Sequence, residues 1–240
     1  MASMSLVPNK NLFIVTSALN AKIGVVNEEN RMKQTVESLK NLRKKVPDAI
    51  ILFVDGSPVE ITDDKVQEIN SLCDHSIWWQ KDADVNYFAS QGLKSQAEII
   101  MLSKTLGLLK TNPMLMKKMH GVKRIFKFSA RSFLLDTFNI HDYDNLYGKY
   151  VFKQKLASWL PVEQKESITD HLYITRMYSF CPSLIIDYME TQQKIFNDVQ
   201  NYRIDTEHAH HKNLKQKYIH EFHNISCAGI VAGTGELEIY

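Results

Sequence analysis

In the segment KRIFKFSARSF (residues 123–133), Lys127, Ser129 and Arg131 alternate with Phe126, Phe128 and Ala130. Strand side chains alternate between faces, so two cations and a hydroxyl share one side within about 14 Å of chain. Such a face suits an anion. The competing reading is a solvated edge strand whose cations guard against aggregation. Four other stretches carry side chains with chemical potential. Asp55 in VDGS (54–57) ends an apolar run, where it could hydrogen-bond a nucleobase or ribose; an ordinary Asp-Gly turn is the plainer account. Lys94 opens LKSQAE (93–98), a helix start where the dipole disfavours a cation. Reaching a phosphate would explain it, as would simple surface exposure. Asp82 and Asp84 in KDADV (81–85) are spaced to offer oxygens to Mg2+ or Mn2+, although Asp-x-Asp also arises by chance in surface loops. TEHAHHKN (206–213) gathers Glu207, His208, His210 and His211. Its spacing does not fit a closed zinc site, which leaves His208 to ligate a metal or hold a phosphate, against plain surface histidines.

These side chains need a scaffold, and the apolar patterning predicts one. NLFIVTSAL (11–19) and DAIILFVDGSP (48–58) read as buried strands ended by small polar or turn residues. Between them, NEENRMKQTVESLKNLRKKV (27–46) spaces Met32, Val36, Leu39 and Leu42 as one helix face. Its acidic residues lead, its basic ones close, and Pro47 stops it. A helix around 63–72, a strand over 75–80 and a long helix near 92–110 precede the strand that bears Lys127. Strands alternating with helices, the strands being apolar throughout, predict a mostly parallel sheet covered on both faces. Ligands of such sheets bind beyond the strand carboxyl ends. There Thr16 and Ser17, Asp55 to Ser57, Lys81 to Asp84, and Ser129 to Arg131 would converge on one rim. The second half is more mixed. KYVFKQKLASWLP (149–161) reads as antiparallel strands or a strand and turn, PSLIIDYMETQQKIFNDVQN (182–201) as a helix, and SCAGIVAGTGE (226–236) as a small-residue strand with a glycine turn.

The 240 residues, 44% hydrophobic and 23% charged, are enough to bury a proper core. A net charge of +2 is too small to argue nucleic-acid binding from the total. Cys73, Cys181 and Cys227 are odd in number and far apart, which predicts neither a disulfide framework nor a zinc site and favours a reducing, cytosolic setting. The longest apolar run, AIILFV (49–54), is of strand length, and MASMSLVPNK at the start lacks a signal-peptide pattern; a cytoplasmic protein without a membrane segment is expected. G-x-S-x-G, a Walker loop and G-x-G-x-x-G after the first strand are all missing, which argues against hydrolase, NTPase and dinucleotide oxidoreductase readings.

Several stretches together, FIVTSALNAKIGVVNEENRMKQTVESLKNLRKKVPDAIILFVDGS, KSQAE, IFKFSAR, EHAHHKNL and GIVAGTGE, resemble small viral glycosyltransferases of the GT-A fold. That group includes the first domain of a chlorovirus glycosyltransferase, and the chain is also similar in size to phage enzymes that attach a sugar such as arabinose to hydroxymethylcytosine in DNA. The resemblance runs in order over residues 11–236. It implies one GT-A-like α/β domain over 1–240, with a Rossmann-like nucleotide-sugar half (11–131) and a smaller mixed acceptor-side half (132–240). It also implies a nucleotide-sugar donor, often UDP-linked, and Mn2+ or Mg2+. Thr16 and Asp55 would hold base and ribose with Ser17 beside them, Arg31 and Lys94 would face the donor, and Lys127, Ser129 and Arg131 would line the sugar-diphosphate pocket. One departure is visible. GT-A enzymes usually carry Asp-x-Asp after the fourth strand, and here Ser129-Ala130-Arg131 stands in that place. A metal would then be held elsewhere, by Asp82, Asp84 or His208, or the cations would replace it.

Glycosyl transfer needs a stabilised leaving diphosphate and, for inversion, a base for the acceptor hydroxyl. Arg131 with Lys127 answers the first need, and Glu207 and Asp136 are the carboxylate candidates for the second. A DNA acceptor calls for a basic rim, and Lys117, Lys118, Lys123 and Arg124 in KKMHGVKR (117–124) supply cations for it. A glycan acceptor calls instead for a polar cleft with aromatic platforms. The phage resemblance tilts the expectation to DNA. A non-catalytic nucleotide- or nucleic-acid-binding module is the rival from another class.

Overall fold

The computed structural model describes residues 10–230 and 234–240. Along the chain run β1 (Lys10–Ser17), α1 (Glu28–Lys45), β2 (Ile50–Asp55), α2 (Asp63–Asn70), β3 (His75–Trp78), α3 (Ala83–Ser90), α4 (Lys94–Thr111), α5 (Pro113–Met119) and β4 (Val122–Ser129). The second half holds β5 (Ser132–Leu134), β6 (Tyr150–Lys153), β7 (Leu156–Ala157), α6 (Val162–Ser167), β8 (His171–Leu172), β9 (Met177–Phe180), α7 (Ile185–Tyr202), α8 (Thr206–Asn213), β10 (Ile219–Phe222), β11 (Cys227–Ile230) and β12 (Leu237–Ile239). Val231 to Gly233, inside the stretch read as a glycine turn, lie outside the described residues, as does most of MASMSLVPNK.

Seven strands form the main sheet in the order β10-β6-β9-β4-β1-β2-β3. β3, β2, β1 and β4 are mutually parallel, and β9 is antiparallel to both β4 and β6. Alternation within each strand divides the core between the two faces of this sheet. Phe13, Val15, Phe53, Phe126 and Phe128 pack with Leu39 and Leu42 of α1. Leu12, Ile14, Val54 and Ile125 pack on the other side with Leu102 and Leu106 of α4 and Tyr188 of α7. The rings of Phe13 and Phe126 stack at 4.4 Å across β1 and β4. Helix α1 forms as its charges dictate: the Asn27 side chain accepts from the Asn30 amide, Glu28 and Glu29 open the helix, and Arg43 to Lys45 close it.

Four short helices, α3, α5, α6 and α8, go beyond the patterning read from the sequence. The Asp82 carboxylate accepts from the Asp84 and Val85 amides to start α3, and Asn112 does the same for α5 with Pro113 in its first turn. The 149–161 stretch divides: β6 joins the main sheet, whereas β7 leaves it to pair with β8. Among the described residues no helix is long and apolar enough to cross a membrane.

Candidate functional site

Parity within β1 and β4 decides what reaches the site. Thr16 continues the Leu12–Ile14 face and Lys127 continues from Ile125, so both point at α4 rather than at α1. On α4 they meet Glu98, whose carboxylate accepts from the Thr16 hydroxyl at 3.0 Å and pairs with the Lys127 ammonium at 2.7 Å. Lys127 is 4% exposed, also donates to the Thr175 carbonyl, and sits 6.0 Å from the Tyr178 ring. Burial would push the Glu98 carboxyl up, but Lys127, Thr16 and Arg176 outweigh it and hold the group below the usual carboxylate range.

Above this buried pair lies a cavity of about 300 Å3 at the carboxyl ends of β1, β2 and β4, the rim expected of an open α/β sheet. Six cationic side chains, Lys22, Arg31, Lys94, Lys127, Arg131 and Arg176, line it against two carboxylates, Glu98 and Glu207. Thr16, Ser17 and Ser129 are also in its wall. The sequence-predicted group of Thr16, Ser17, Arg31, Lys94, Lys127, Ser129, Arg131 and Glu207 is therefore brought together, across nearly two hundred positions of chain.

The cations do different work. Arg31, 4% exposed, spends its guanidinium on the carbonyls of Val26 at 2.8 Å and of Ala18 and Ile23 at 3.3 Å each, so it shapes the loop after β1 rather than pointing free into the cavity. That loop rests on Gly92, whose φ of +74° and contact with Ile23 leave no room for a Cβ. Arg131, just beyond β4, is the reverse case: its Nη1 is buried and has no hydrogen-bond partner among the described residues. Burial pulls its pKa down to about 10, with the Arg31 and Arg176 charges adding and Glu98 opposing. Burial, Arg31 and Arg131 likewise lower that of Lys94. A buried donor without an acceptor, beside like charges, is a place where an anion is favoured. The Glu207 carboxylate, on the first turn of α8, accepts from the Thr175 hydroxyl at 2.7 Å and the Thr206 hydroxyl at 2.9 Å.

Other predicted residues lie elsewhere or are already engaged. Asp55 is fully buried beneath the cavity wall, where its oxygens take the amides of Leu19 and Ser57, both at 2.9 Å, and the Gln80 side chain at 3.1 Å. It ties two loops together and does not face a base or ribose. Asp82 and Asp84 are both held by Lys104, at 2.6 and 2.7 Å, off the cavity, so the rim excludes the set after β3. His208, also fully buried, donates from Nδ1 to Asp205 at 2.6 Å and accepts at Nε2 from Ser158 at 2.8 Å, which leaves no lone pair for a metal. Among the described residues, no group of three His, Cys, Asp or Glu side chains is arranged to hold a metal ion. Asp136 is fully exposed, paired with Lys45 near the end of α1 and away from the cavity.

The basic stretch also falls elsewhere. Lys123 and Arg124 begin β4, whereas the cavity lies at the end of that strand; six residues of strand separate Lys123 from Ser129, about 20 Å. Arg124 is 3% exposed and serves the carbonyls of Lys149 and Leu146 and the Ser179 hydroxyl. Lys118 donates to the Asp74 carbonyl just before β3, and Lys117 lies beside it on α5. Sequence reasoning passed over Arg176 and Glu98, although KSQAE contains the latter. The signal for Glu98 was the buried lysine opposite, which requires a counter-charge.

No family model and no curated protein matches the sequence. Solved structures do match the fold. The mannosyltransferase Ktr4p from S. cerevisiae is 11% identical over 90% of this chain and 69% of its own, with a TM-score of 0.53; its complex with GDP gives 10%, 90%, 70% and 0.50. Core-mannan synthase A from Aspergillus fumigatus in a Mn/GDP form is 8% identical over 89% of this chain and 72% of its own, with a TM-score of 0.48. A glycosyltransferase involved in glycosylation of the major capsid of PBCV-1 gives 6%, 88%, 82% and 0.43. At such identities the likeness is one of architecture: a mixed α/β fold of the GT-A type, built on a seven-stranded, mostly parallel sheet.

Proposed function

We propose that the chain is a nucleotide-sugar-dependent glycosyltransferase that binds its donor in the cationic cavity. The observation that carries this reading is the unpartnered, buried Arg131 Nη1 among six cations at the carboxyl ends of the parallel strands. A sugar nucleotide brings a diphosphate that would complete those donors. In the reaction, the bond from the sugar's anomeric carbon to the diphosphate oxygen breaks and the diphosphate keeps the electron pair. A bond from that carbon to the acceptor oxygen forms, and the acceptor's proton passes to a carboxylate. Arg131 and Lys94 stabilise the departing charge. Glu207 is the carboxylate for the proton, because Glu98 is committed to Lys127 and Asp136 lies outside the cavity.

The acceptor in this reading is a carbohydrate hydroxyl. Trp159, 62% exposed and outside the cavity lining, lies at right angles to the His208 ring at 5.0 Å, and His208 follows Glu207 in the chain; an exposed indole so placed suits a sugar ring bound beyond the cavity. Hydroxymethylcytosine in DNA, the other acceptor, loses the basic rim read for it, with Lys123 and Arg124 at the far end of β4 and Lys117 and Lys118 on α5 before it. A panel of UDP- and GDP-sugars, assayed for slow hydrolysis and then for transfer to free sugars or to hydroxymethylcytosine DNA, tests the proposal. Hydrolysis of one donor and transfer to a sugar are expected. Nucleotide binding with no turnover of any donor would return the chain to the non-catalytic module.

A further inference from the structure

We infer that side-chain cations, Arg131 and Lys94 together with Arg176, neutralise the donor's diphosphate in the place where a divalent metal would otherwise bridge it. This rests on the nucleotide-sugar reading above and specifies its electrostatics. A hard divalent ion needs several oxygen ligands free to coordinate it. The cavity offers only the carboxylates Glu98 and Glu207. Glu98 is held by Lys127 and Thr16, which leaves Glu207, each of whose oxygens already accepts one threonine hydroxyl, as a single carboxylate where such an ion needs several oxygens. The other acidic and imidazole candidates, Asp82, Asp84 and His208, are locked by Lys104, Asp205 and Ser158 away from the cavity.

The charge balance points the same way. With six cations against two carboxylates, a dication added here would add to an excess of like charge, whereas a diphosphate would relieve it. Mutual repulsion is present too: beyond the larger effect of burial, the Arg31, Arg131 and Arg176 charges lower the proton affinity of Lys94 and Arg131. Two residues beyond the end of β4 stands Arg131 rather than a carboxylate, and its Nη1 is buried with no partner among the described residues. A guanidinium there can bind phosphate oxygens in a fork, and Lys94 adds a point charge from the first turn of α4.

Calorimetric titration of UDP and GDP into the full chain, in EDTA and then in Mn2+, separates the possibilities without relying on turnover. One of the two nucleotides should bind in EDTA, with an affinity that Mn2+ changes by less than about threefold. Arg131→Ala should weaken that binding about tenfold or more, as loss of a charge-assisted hydrogen bond does. Lys94→Ala, on a solvent-facing helix start, is the second variant should Arg131→Ala fail to fold. Binding that is lost in EDTA and restored by Mn2+, or that neither variant weakens, would overturn this inference while leaving the nucleotide reading in place. No binding of either nucleotide in either buffer would overturn both.

Discussion

The Glu98–Lys127 pair shows what one buried charge demands of its surroundings. Lys127 occupies a core-facing position of β4 and is left without compensation if Glu98 is truncated. Removing one partner of a fully buried pair costs about 3–5 kcal/mol; Glu98 keeps 36% of its side-chain surface, so about 2 kcal/mol is expected for Glu98→Ala. Urea denaturation measures this, and an unchanged midpoint would mean that water solvates Lys127 as well as Glu98 does. Asp55→Asn probes a fully buried acid. Both oxygens of Asp55 accept hydrogen bonds and its charge faces Arg31, so an amide nitrogen in that place sets donor against donor. A loss of about 2–3 kcal/mol follows, read from the same denaturation curves. A direct nucleotide contact would instead leave stability untouched and weaken only ligand binding.

At the scale of elements, the loop after β1 is organised by a helix side chain. Arg31 on α1 holds three of its carbonyls, and Lys22 on the loop reaches the Ser90 carbonyl at the end of α3. Arg31→Lys keeps the charge but not the fork. Amide hydrogen exchange over residues 18–26 should then rise about tenfold, the equivalent of roughly one net hydrogen bond, and rates unchanged from wild type would show that the loop is held by packing alone. On the far side of the sheet, β9, α7 and α8 meet around His210. Its Nδ1 donates to the Thr206 carbonyl, Tyr188 donates to its Nε2, and Tyr178 bonds Tyr188. Burial pulls its pKa from 6.5 to about 4 despite the carbonyl bond. Neutral in the fold and free to protonate when unfolded, His210 stabilises fully above about pH 6.5. That contribution, on the order of 3 kcal/mol, is lost as pH falls towards 4. Stability measured from about pH 7 to pH 4.5 should therefore decline more steeply for the wild type than for His210→Gln; parallel curves would place the titration elsewhere.

For the molecule as a whole, the sheet separates two basic regions. The cavity lies at one end of β4, and Lys117, Lys118 and Lys123 gather at the other. Charges about 20 Å apart through solvent exceed the Debye length of about 8 Å at physiological salt. The double variant Lys117→Ala, Lys118→Ala should therefore leave nucleotide affinity within about twofold of wild type. A salt titration on duplex DNA is the companion measurement: a slope that flattens by about one unit per lysine would give this face a phosphate-binding role of its own, remote from the cavity.

How much of this was written locally differs from feature to feature. Buried parallel strands, the dipole-matched α1 and the rim formed by Thr16, Ser17, Ser129 and Arg131 follow from alternation and apolar runs, because strand parity and helix period are properties of neighbouring residues. The small helices α3 and α5 carried legible caps in Asp82 and Asn112. Partnership was not local. The sequence alone offers Asp55, Asp82, Asp84, His208 and Arg124 as free chemical groups, and only the tertiary structure supplies the amides, Lys104, Ser158 and carbonyls that occupy them. Glu98, 29 positions before Lys127, became a site residue solely because α4 lies over that face of β4. Residue type and spacing determined which groups could reach the rim. Burial decided which of them stayed unpaired, since a polar group out of water takes whatever partner the fold brings to it, and Arg131 was brought none among the described residues.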